Sequence, residues 1–237
     1  MSRFDAFEAL SFDCYGTLID WETGIVKAIK GWPQLSSIDR GGEEILAAFA
    51  AHESKIQATK PRVNYTEILS ECAFLVADDL GITIGEEQAA ELANSVGDWP
   101  PFSDSKDSLR LLGEKFKLII LSNVDRVSFS RSNKLLKAKF DLVITADDAG
   151  SYKPDSANFQ LLIDRASSLG IQKDRILHVA QSLFHDHYPA KSFGLSTVWI
   201  DRRAHIGGWG ATPPPQGSVE PDWRFQSMED FAAACLS

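Results

Sequence analysis

Short apolar runs alternate with amphipathic stretches through most of the chain. The first run, residues 9–14, ends at a glycine turn around Gly16 and predicts a buried strand. Four more apolar runs predict strands at 117–121, 142–145, 176–180 and 197–200. Helical spacing of apolar positions is found between them, at 104–115, 126–139, 155–169 and 186–193. The alternation predicts an α/β fold whose core is a Rossmann-like parallel sheet flanked by helices.

Residues 18–98 show helical periodicity without a strand pattern. Apolar residues recur three and four positions apart, for example at Ile45 and Phe49. Two prolines after Trp99 mark the return of the chain to the sheet, because proline is unsuited to a helix interior. We therefore expect an inserted α-helical cap at 18–98. The α/β core would consist of residues 1–17 and 99–237.

Composition and charge narrow the class of partner. The 237 residues include 24 basic and 33 acidic side chains, which gives a formal charge of −9. This balance argues against nucleic acid and against an anionic membrane as partners, and it favours a small-molecule substrate. The sequence has neither a signal-peptide pattern nor an apolar stretch long enough to span a membrane, so we expect a cytoplasmic protein.

Polar side chains follow each predicted strand at its carboxyl end, where open α/β sheets bind their ligands. The set comprises Asp13, Tyr15, Thr17, Ser122, Asn123, Asp147, Asp148, Lys153, Gln181, Ser182, His185 and Asp186. A single Asp after a strand can be a helix cap or a turn former. An acid, a hydroxyl, a lysine and a second acid at successive strand ends instead indicate a nucleophile with electrostatic support.

Four segments resemble, in the same order, the four sequence motifs of the haloacid dehalogenase superfamily. They read SFDCYGTLID, LSN, YKPD and HVAQSLFHDHYPAKSFG. The predicted insertion at 18–98 also stands where that superfamily carries its helical cap. The resemblance implies that Asp13 is the nucleophile of a covalent ester intermediate. It also implies that Thr17 hydrogen-bonds the Asp13 carboxylate.

The same resemblance implies roles for residues after the other strands. Ser122 and Asn123 would contact the substrate or the leaving group. Lys153 would balance the buried negative charge, and Asp186 would orient either Lys153 or the hydrolytic water. Related dehalogenases often form dimers through their cap helices, so the resemblance also allows a homodimer.

Tyr15 separates the L-2-haloacid dehalogenase branch from the phosphatases of the superfamily. The phosphatases carry a second Asp at this position and use it to protonate an alkoxide leaving group. Tyrosine is a poor acid at neutral pH, whereas halide leaves without a proton. The resemblance therefore favours cleavage of a carbon–halogen bond in a small organic acid, with Tyr15 as a substrate-binding residue. A magnesium-dependent phosphatase with an atypical first motif and an inactive binding protein of the same fold stay open as alternatives.

The fourth motif bears on metal binding. The phosphatases hold Mg²⁺ with the Asp of a Gly-Asp pair, and this chain has Ala180 and Gln181 there. A neutral amide is a weaker magnesium ligand than a carboxylate. We expect no required cofactor and no metal, although weak magnesium binding through Asp13 and Asp186 stays open.

The cap departs from the dehalogenase pattern. The dehalogenases bind the halide with a cap arginine, but Arg40 and Arg62 lie outside any copy of that helix motif. A buried substrate carboxylate without a cation would be costly to desolvate. Lys55, Lys60 or Arg62 could supply the cation, although such residues are usually solvated surface charges.

The core departs from the pattern as well. Phe159, Gln181 and Leu183 stand where the dehalogenases carry tyrosine, serine and asparagine. These changes remove polar contacts around the expected carboxylate of a haloacid. The substrate therefore need not be a simple 2-haloacid.

Overall fold

A parallel sheet of six strands forms the centre of the computed structural model, which describes residues 2–36, 38–215 and 217–237. The strands are β1 (Ala9–Phe12), β2 (Lys117–Ser122), β3 (Leu142–Thr145), β4 (Ile176–Ala180), β5 (Ser196–Ile200) and β6 (Trp223–Phe225). Their order across the sheet is β3-β2-β1-β4-β5-β6, and all neighbouring pairs are parallel. The predicted α/β, Rossmann-like class is confirmed.

Helices cover the connections between the strands. Between β1 and β2 the chain forms α1 (Trp21–Lys30), α2 (Gly42–Thr59), α3 (Tyr65–Asp79) and α4 (Glu86–Ser95) and then returns through α5 (Ser105–Leu112). The later helices are α6 (Arg126–Leu136), α7 (Ala146–Ala149), α8 (Ser156–Ser168), α9 (Tyr188–Ser192) and α10 (Met228–Leu236). Short 3-10 turns lie at Pro33–Leu35, Val96–Asp98 and Lys173–Arg175, and a π-helical turn at Leu183–His187 precedes α9.

The central strands are buried on both faces, which explains their uninterrupted apolar sequences. Successive side chains of a strand point to opposite faces of the sheet. Thus Leu10 packs in the apolar cluster that includes the helices after β1, whereas Ala9 packs with Phe159 of α8 in the cluster on the other face. β1 lies between β2 and β4, with Phe12 opposite Ile120 and Val179. The residues that follow these strands therefore meet at one edge of the sheet.

The five predicted strands are present, but β6 and α10 were not predicted. β6 is three residues long, partly exposed, and lies at the edge of the sheet. The helix predicted at 186–193 begins earlier, since Ser182 caps a π-helical turn by accepting a hydrogen bond from His185 N. The helix predicted at 126–139 ends at Leu136, because Lys137 adopts a left-handed conformation with φ of 52°.

The chain leaves and re-enters the sheet layer through two adjacent segments. Asp20 N donates to Pro100 O at 2.8 Å, and Phe102 N donates to Leu18 O at 3.0 Å. The helices α1 to α4 lie between these crossings, in the region predicted as a cap. The division into a core and a cap stays a prediction.

The helices can be compared with the length and apolar character of a membrane span. Within the part of the chain that the structure describes, none of them combines the length and the apolar character that crossing a bilayer requires.

Candidate active site

A small pocket lies at the carboxyl edge of the sheet, beneath the helices that follow β1. Its cavity volume is about 30 Å³. Six of the seven predicted site residues line it, namely Asp13, Tyr15, Ser122, Asn123, Lys153 and Asp186. The seventh, Thr17, lies behind Asp13 and contacts it. The structure therefore brings the predicted site residues together.

Each carboxylate oxygen of Asp13 accepts a hydrogen bond from a neighbouring side chain. Thr17 Oγ1 donates to Asp13 Oδ2 at 2.7 Å, and Lys153 Nζ donates to Asp13 Oδ1 at 2.9 Å. Burial raises the pKa of Asp13, and the Lys153 ammonium and the Thr17 hydroxyl oppose that rise. The carboxylate is thus held in one orientation by an ammonium and a hydroxyl group.

The turn after β1 positions Thr17. Gly16 has a φ of 92°, a conformation that side chains with a Cβ rarely adopt, and its N–H donates to Ile19 O at 2.8 Å. The Thr17 hydroxyl accepts a hydrogen bond from Gln181 N at 2.9 Å. Because the hydroxyl is an acceptor there, its proton points to Asp13.

Lys153 uses all three of its ammonium protons inside the protein. Besides Asp13, Nζ donates to Asp186 Oδ1 at 2.7 Å and to Leu121 O at 2.9 Å. The side chain is 1% exposed. Burial lowers the pKa of Lys153, but Asp13 and Asp186 outweigh this and raise it overall. Lys153 is therefore a permanent cation with no proton left for a further anion.

Asp186 is the second carboxylate on Lys153. Burial would raise its pKa, but Lys153 and His178 outweigh burial and hold the pKa of Asp186 well below its usual range. His178 Nε2 lies 3.0 Å from Asp186 Oδ1, and His178 Nδ1 lies 2.8 Å from Ser11 Oγ. Since the carboxylate can only accept, Nε2 carries the proton. Asp186 Oδ2 is buried and has no hydrogen-bond partner among the described residues, and Asp186 is one of the residues that line the pocket.

Ser122 and Asn123 end β2 and differ in their availability to a ligand. Ser122 Oγ is buried and has no hydrogen-bond partner within the described parts of the chain. Asn123 Oδ1 accepts from Lys153 N at 2.6 Å, and Asn123 Nδ2 donates to Lys153 O at 3.0 Å. Asn123 therefore positions the lysine backbone, whereas Ser122 presents a free hydroxyl.

Tyr15 lines the pocket with its ring, while its hydroxyl is directed elsewhere. The Tyr15 hydroxyl lies 2.7 Å from Ser132 Oγ of α6. Burial raises the pKa of Tyr15 well above its usual value. The phenol is therefore unsuited to protonating a leaving group, in agreement with the expectation from sequence.

The donor set does not fit a divalent cation. Asp13 and Asp186 both bind Lys153 Nζ, and Gln181 Oε1 accepts a hydrogen bond from Thr212 Oγ1 at 3.2 Å. Among the described residues, no group of three or more His, Cys, Asp or Glu side chains is arranged to hold a metal ion. A buried ammonium between the two candidate carboxylates disfavours an added cation by charge repulsion.

Three pocket residues come from the helices after β1, and the sequence analysis missed them. We call Trp21, Glu53 and Tyr65 the helical wall, and Asp13, Ser122, Lys153 and Asp186 the sheet wall. Glu53 lies on α2 at helical spacing from the buried residues Phe49 and Ile56. An acidic residue among the apolar positions of a helix is the sequence pattern that could have identified Glu53. Val124 and Thr212, which complete the lining together with Ser182 and His185, carried no such signal.

Glu53 is buried, and hydrogen bonds reach it from its own helix. Gln57 Nε2 donates to Glu53 Oε1, and Ser54 Oγ donates to Oε2 at 3.2 Å. Tyr65 presents its hydroxyl to the same carboxyl group. Burial raises the pKa of Glu53 to about 7, and these hydrogen bonds oppose the rise. A group that titrates near neutrality in a pocket is a candidate for function.

The six-stranded parallel sheet and this arrangement of a buried Asp, Lys and second Asp at its carboxyl edge agree with the four motifs in the sequence. A model of the haloacid dehalogenase-like hydrolases matches residues 7–184. The chain therefore belongs to that family of hydrolases, and the resemblance seen in the motifs is confirmed.

Known relatives point to the dehalogenase branch of the family. The (S)-2-haloacid dehalogenase of Pseudomonas sp. strain YL is 27% identical over 234 residues, which cover 94% of this chain and 92% of the relative. The defluorinating L-2-haloacid dehalogenase Rha0230 superposes with a TM-score of 0.79 at 22% identity, over 100% of this chain and 98% of that one. The L-2-haloacid dehalogenase from Xanthobacter autotrophicus with chloropropionic acid covalently bound gives a TM-score of 0.77 at 21% identity, over 96% and 97%. At these identities, the two solved structures show a shared fold.

Proposed function

We propose that this hydrolase cleaves a carbon–halogen bond through an ester formed on Asp13. The observation that carries the proposal is the fixed Asp13 carboxylate between Thr17 and Lys153, in a pocket where Tyr15 replaces the acid that an ester substrate needs. Halide is a weak base and leaves without a proton. The sheet wall therefore contains the groups that dehalogenation requires.

The reaction has two balanced steps. A carboxylate oxygen of Asp13 attacks the carbon that bears the halogen, the new C–O bond forms, and halide leaves with the electron pair of the broken C–X bond. Water then attacks the carboxyl carbon of the ester, which releases the alcohol product and restores Asp13. The sum is organohalide plus water giving alcohol, halide and one proton.

The sheet wall supplies a role for each neighbour of Asp13. Thr17 and Lys153 hold the carboxylate in one orientation before the attack and stabilise the charge that returns to it in the second step. Asp186 Oδ2 is the free acceptor that can hold the hydrolytic water. Ser122 Oγ is the free hydroxyl that can contact the halogen or the halide.

Two other functions are less well supported by the site. A phosphatase would need a leaving-group acid and a magnesium site, but the Tyr15 hydroxyl faces Ser132 and both carboxylates bind Lys153. A binding protein without turnover would have no use for a buried carboxylate aligned by an ammonium and a hydroxyl. The complete sheet wall therefore favours catalysis.

The small cavity implies that the helical wall moves during turnover. Polar contacts between these helices and the sheet edge include Asn123 Nδ2 to Gln57 Oε1 at 3.3 Å and Ser54 Oγ to His185 Nε2 at 3.4 Å, and such contacts would have to break for the pocket to open. Residues 18–98 would act as a cap that opens for substrate and closes to exclude water during the first step. The homodimer and the cytoplasmic location stay predictions.

Halide release and isotope labelling test the proposal. A panel of small chlorinated and brominated compounds is incubated with the wild type and with Asp13→Asn, with and without EDTA. We expect halide release that requires Asp13 and survives EDTA. In H₂¹⁸O, repeated turnover should place ¹⁸O in the Asp13 carboxylate, seen by mass spectrometry of the peptide that contains it. Halide release with no label in that peptide would show direct attack by water and would overturn the ester mechanism.

A further inference from the structure

The charges around the pocket are unfavourable for a substrate that carries a carboxylate. Among the described residues, Lys153 is the only ammonium in the lining, and its three protons are engaged. His185 also lines the pocket, but burial lowers its pKa to about 4, so it is neutral at physiological pH. Asp13, Asp186 and Glu53 contribute negative charge. A further anion would meet carboxylates without a cation to pair with.

Arg202 and Arg203, which follow β5, do not supply the missing cation. Arg202 binds Asp104 in a bidentate pair and donates to Thr17 O at 2.9 Å. Arg203 is paired with Glu22 and Glu43. Neither arginine lines the pocket.

The cationic candidates from the cap are also directed elsewhere. Lys60 pairs with Glu71, and Arg40 pairs with Glu44 at 2.7 Å. Lys55 and Arg62 are exposed. These side chains are surface charges, as the sequence analysis expected for Lys55, Lys60 and Arg62.

Glu53 has no structural partner that would explain its burial. Of the groups that bond it, Gln57 and Ser54 belong to its own helix, and Tyr65 starts the next one. In the described structure its carboxyl group pairs with no cation and caps no helix. An acid that is 3% exposed under these conditions lowers the stability of the fold, which is a feature of functional sites.

We propose, on the basis of the function proposed above, that Glu53 determines specificity and makes the site select a neutral halogenated compound with a hydrogen-bond donor over the corresponding haloacid. A 2-haloamide is the simplest compound of this class. Its N–H group can donate to the Glu53 carboxylate while its halogenated carbon faces Asp13. Its neutral amide avoids the repulsion that a carboxylate would meet.

The ionisation of Glu53 sets the pH at which selection is strongest. Above pH 7 the side chain is ionised, so it repels an anion and accepts a hydrogen bond. Below pH 7 the protonated acid can donate to a substrate carboxylate, which weakens the discrimination. The charged or titratable groups that face it are Asp13, Tyr65, Cys72, Tyr152, Lys153, His185 and Asp186. Burial raises the pKa values of Tyr65 and Cys72 far above neutrality and lowers that of His185 far below it.

Binding of unreactive product analogues tests the selection apart from the chemistry. Lactamide and lactate differ only in the amide or carboxylate group and contain no halogen. Their dissociation constants are measured by calorimetry or ligand-observed NMR at pH 8.5 and 5.5, for the wild type, Glu53→Gln and Glu44→Gln. Glu44 lies on the same helix but is exposed, so Glu44→Gln is the matched control.

We expect the wild type to bind lactamide at least about tenfold more tightly than lactate at pH 8.5. The ratio should shrink at pH 5.5. It should also shrink at both pH values in Glu53→Gln, chiefly through better lactate binding, and stay unchanged in Glu44→Gln. Equal or tighter binding of lactate by the wild type, no binding of lactamide, or a ratio that Glu53→Gln leaves unchanged would overturn the proposal.

Chloride release from 2-chloropropionamide and 2-chloropropionate separates this proposal from the proposed function. Asp13-dependent release that is faster from the acid would overturn the role of Glu53 and leave the dehalogenase function intact. Selective binding of lactamide with no chloride release from either compound would overturn the dehalogenase function, while the charge selection would stand.

Discussion

The two walls of the pocket differ in how their charges are compensated. In the sheet wall, the carboxylates of Asp13 and Asp186 share the ammonium of Lys153, and every proton of that ammonium is used. In the helical wall, Glu53 is buried to a similar degree but is bonded by neutral groups alone. The pKa of Asp186 is therefore held well below its usual range, whereas that of Glu53 is raised to about 7.

This difference suggests a division of labour between chemistry and selection. The side chains of the sheet wall follow strands of one sheet, and Lys153 bonds both Asp13 and Asp186, so this wall can hold a reacting group in one geometry. The helical wall belongs to helices that follow β1 and contribute side chains to the pocket from outside the sheet. We therefore expect a change of substrate class to require substitutions in the helices, while Asp13, Thr17 and Lys153 stay the same.

Removal of the Lys153 charge should abolish the difference in charge compensation between the two walls, and it has the largest expected effect. Lys153→Met leaves the two buried carboxylates of the sheet wall without a cation. They would then be uncompensated, as Glu53 is in the helical wall. We expect a loss of about 3–5 kcal/mol in the free energy of unfolding. The rate of halide release should fall about 10²–10³-fold or more. Denaturant unfolding and halide release measure the two effects.

Lys117→Met is the matched control for the Lys153 experiment. Lys117 pairs with Asp141 at the surface, with 60% of the lysine side chain exposed. Exposed pairs contribute little to stability. A Lys153→Met protein that is as stable as Lys117→Met would contradict the view that Lys153 compensates both carboxylates.

The pH dependence of stability tests whether Glu53 lacks a compensating charge. The folded pKa of about 7 lies above the ordinary value of 4.5, so burial favours the protonated form. Stability is therefore lost as the pH rises from about 4.5 to 7, by about 3 kcal/mol as an order of magnitude. In Glu53→Gln this loss should be absent, so the variant should gain stability relative to the wild type between pH 5 and 8.5.

Urea unfolding of the wild type, Glu53→Gln and Glu44→Gln at pH 5 and pH 8.5 checks this expectation. Glu44→Gln should follow the wild type at both pH values, because Glu44 is exposed. A constant difference between Glu53→Gln and the wild type at the two pH values would show that Glu53 titrates normally.

Thr17 offers a finer test of how the sheet wall orients its nucleophile. Thr17→Val removes the donor to Asp13 Oδ2 and leaves Gln181 N without its acceptor. We expect halide release to slow by about tenfold or more, and stability to fall by about 1–3 kcal/mol. Thr17→Ser restores the hydroxyl and should recover most of both. Equal activity of the Val and Ser variants would contradict the orienting role.

The sheet wall could be predicted from the sequence because strand ends in a parallel sheet meet at one edge. Asp13, Ser122 and Lys153 follow apolar runs that are recognisable one by one, and the topology then brings them together. Glu53 could not be placed in the same way. Its place in the pocket depends on how α2 packs against the sheet edge, which the sequence does not show. Helical periodicity alone predicts that an acidic residue among apolar positions interrupts the buried face.

Three further features could not be predicted from the sequence, each for a reason that lies in its local structure. Thr212 reaches the pocket from a loop rich in glycine and proline, which carries no periodic signal. The three residues of β6 are too few to show alternation. Tyr15 was placed at the pocket, but the direction of its hydroxyl depends on Ser132, which lies 117 residues further along the chain.

The smallest expected effect is that of removing the Tyr15 hydroxyl. This change tests whether the leaving group departs without a proton. Tyr15→Phe keeps the ring in the lining and removes only the contact with Ser132. If the leaving group needs no acid, halide release should change by less than about threefold. Stability should fall by about 1 kcal/mol, since the Ser132 hydroxyl loses its partner. Ser132→Ala in the same background should recover part of that stability without any change in rate. A loss of turnover approaching that of Thr17→Val would mean that the phenol acts on the substrate, and the leaving group would then have to be one that requires a proton.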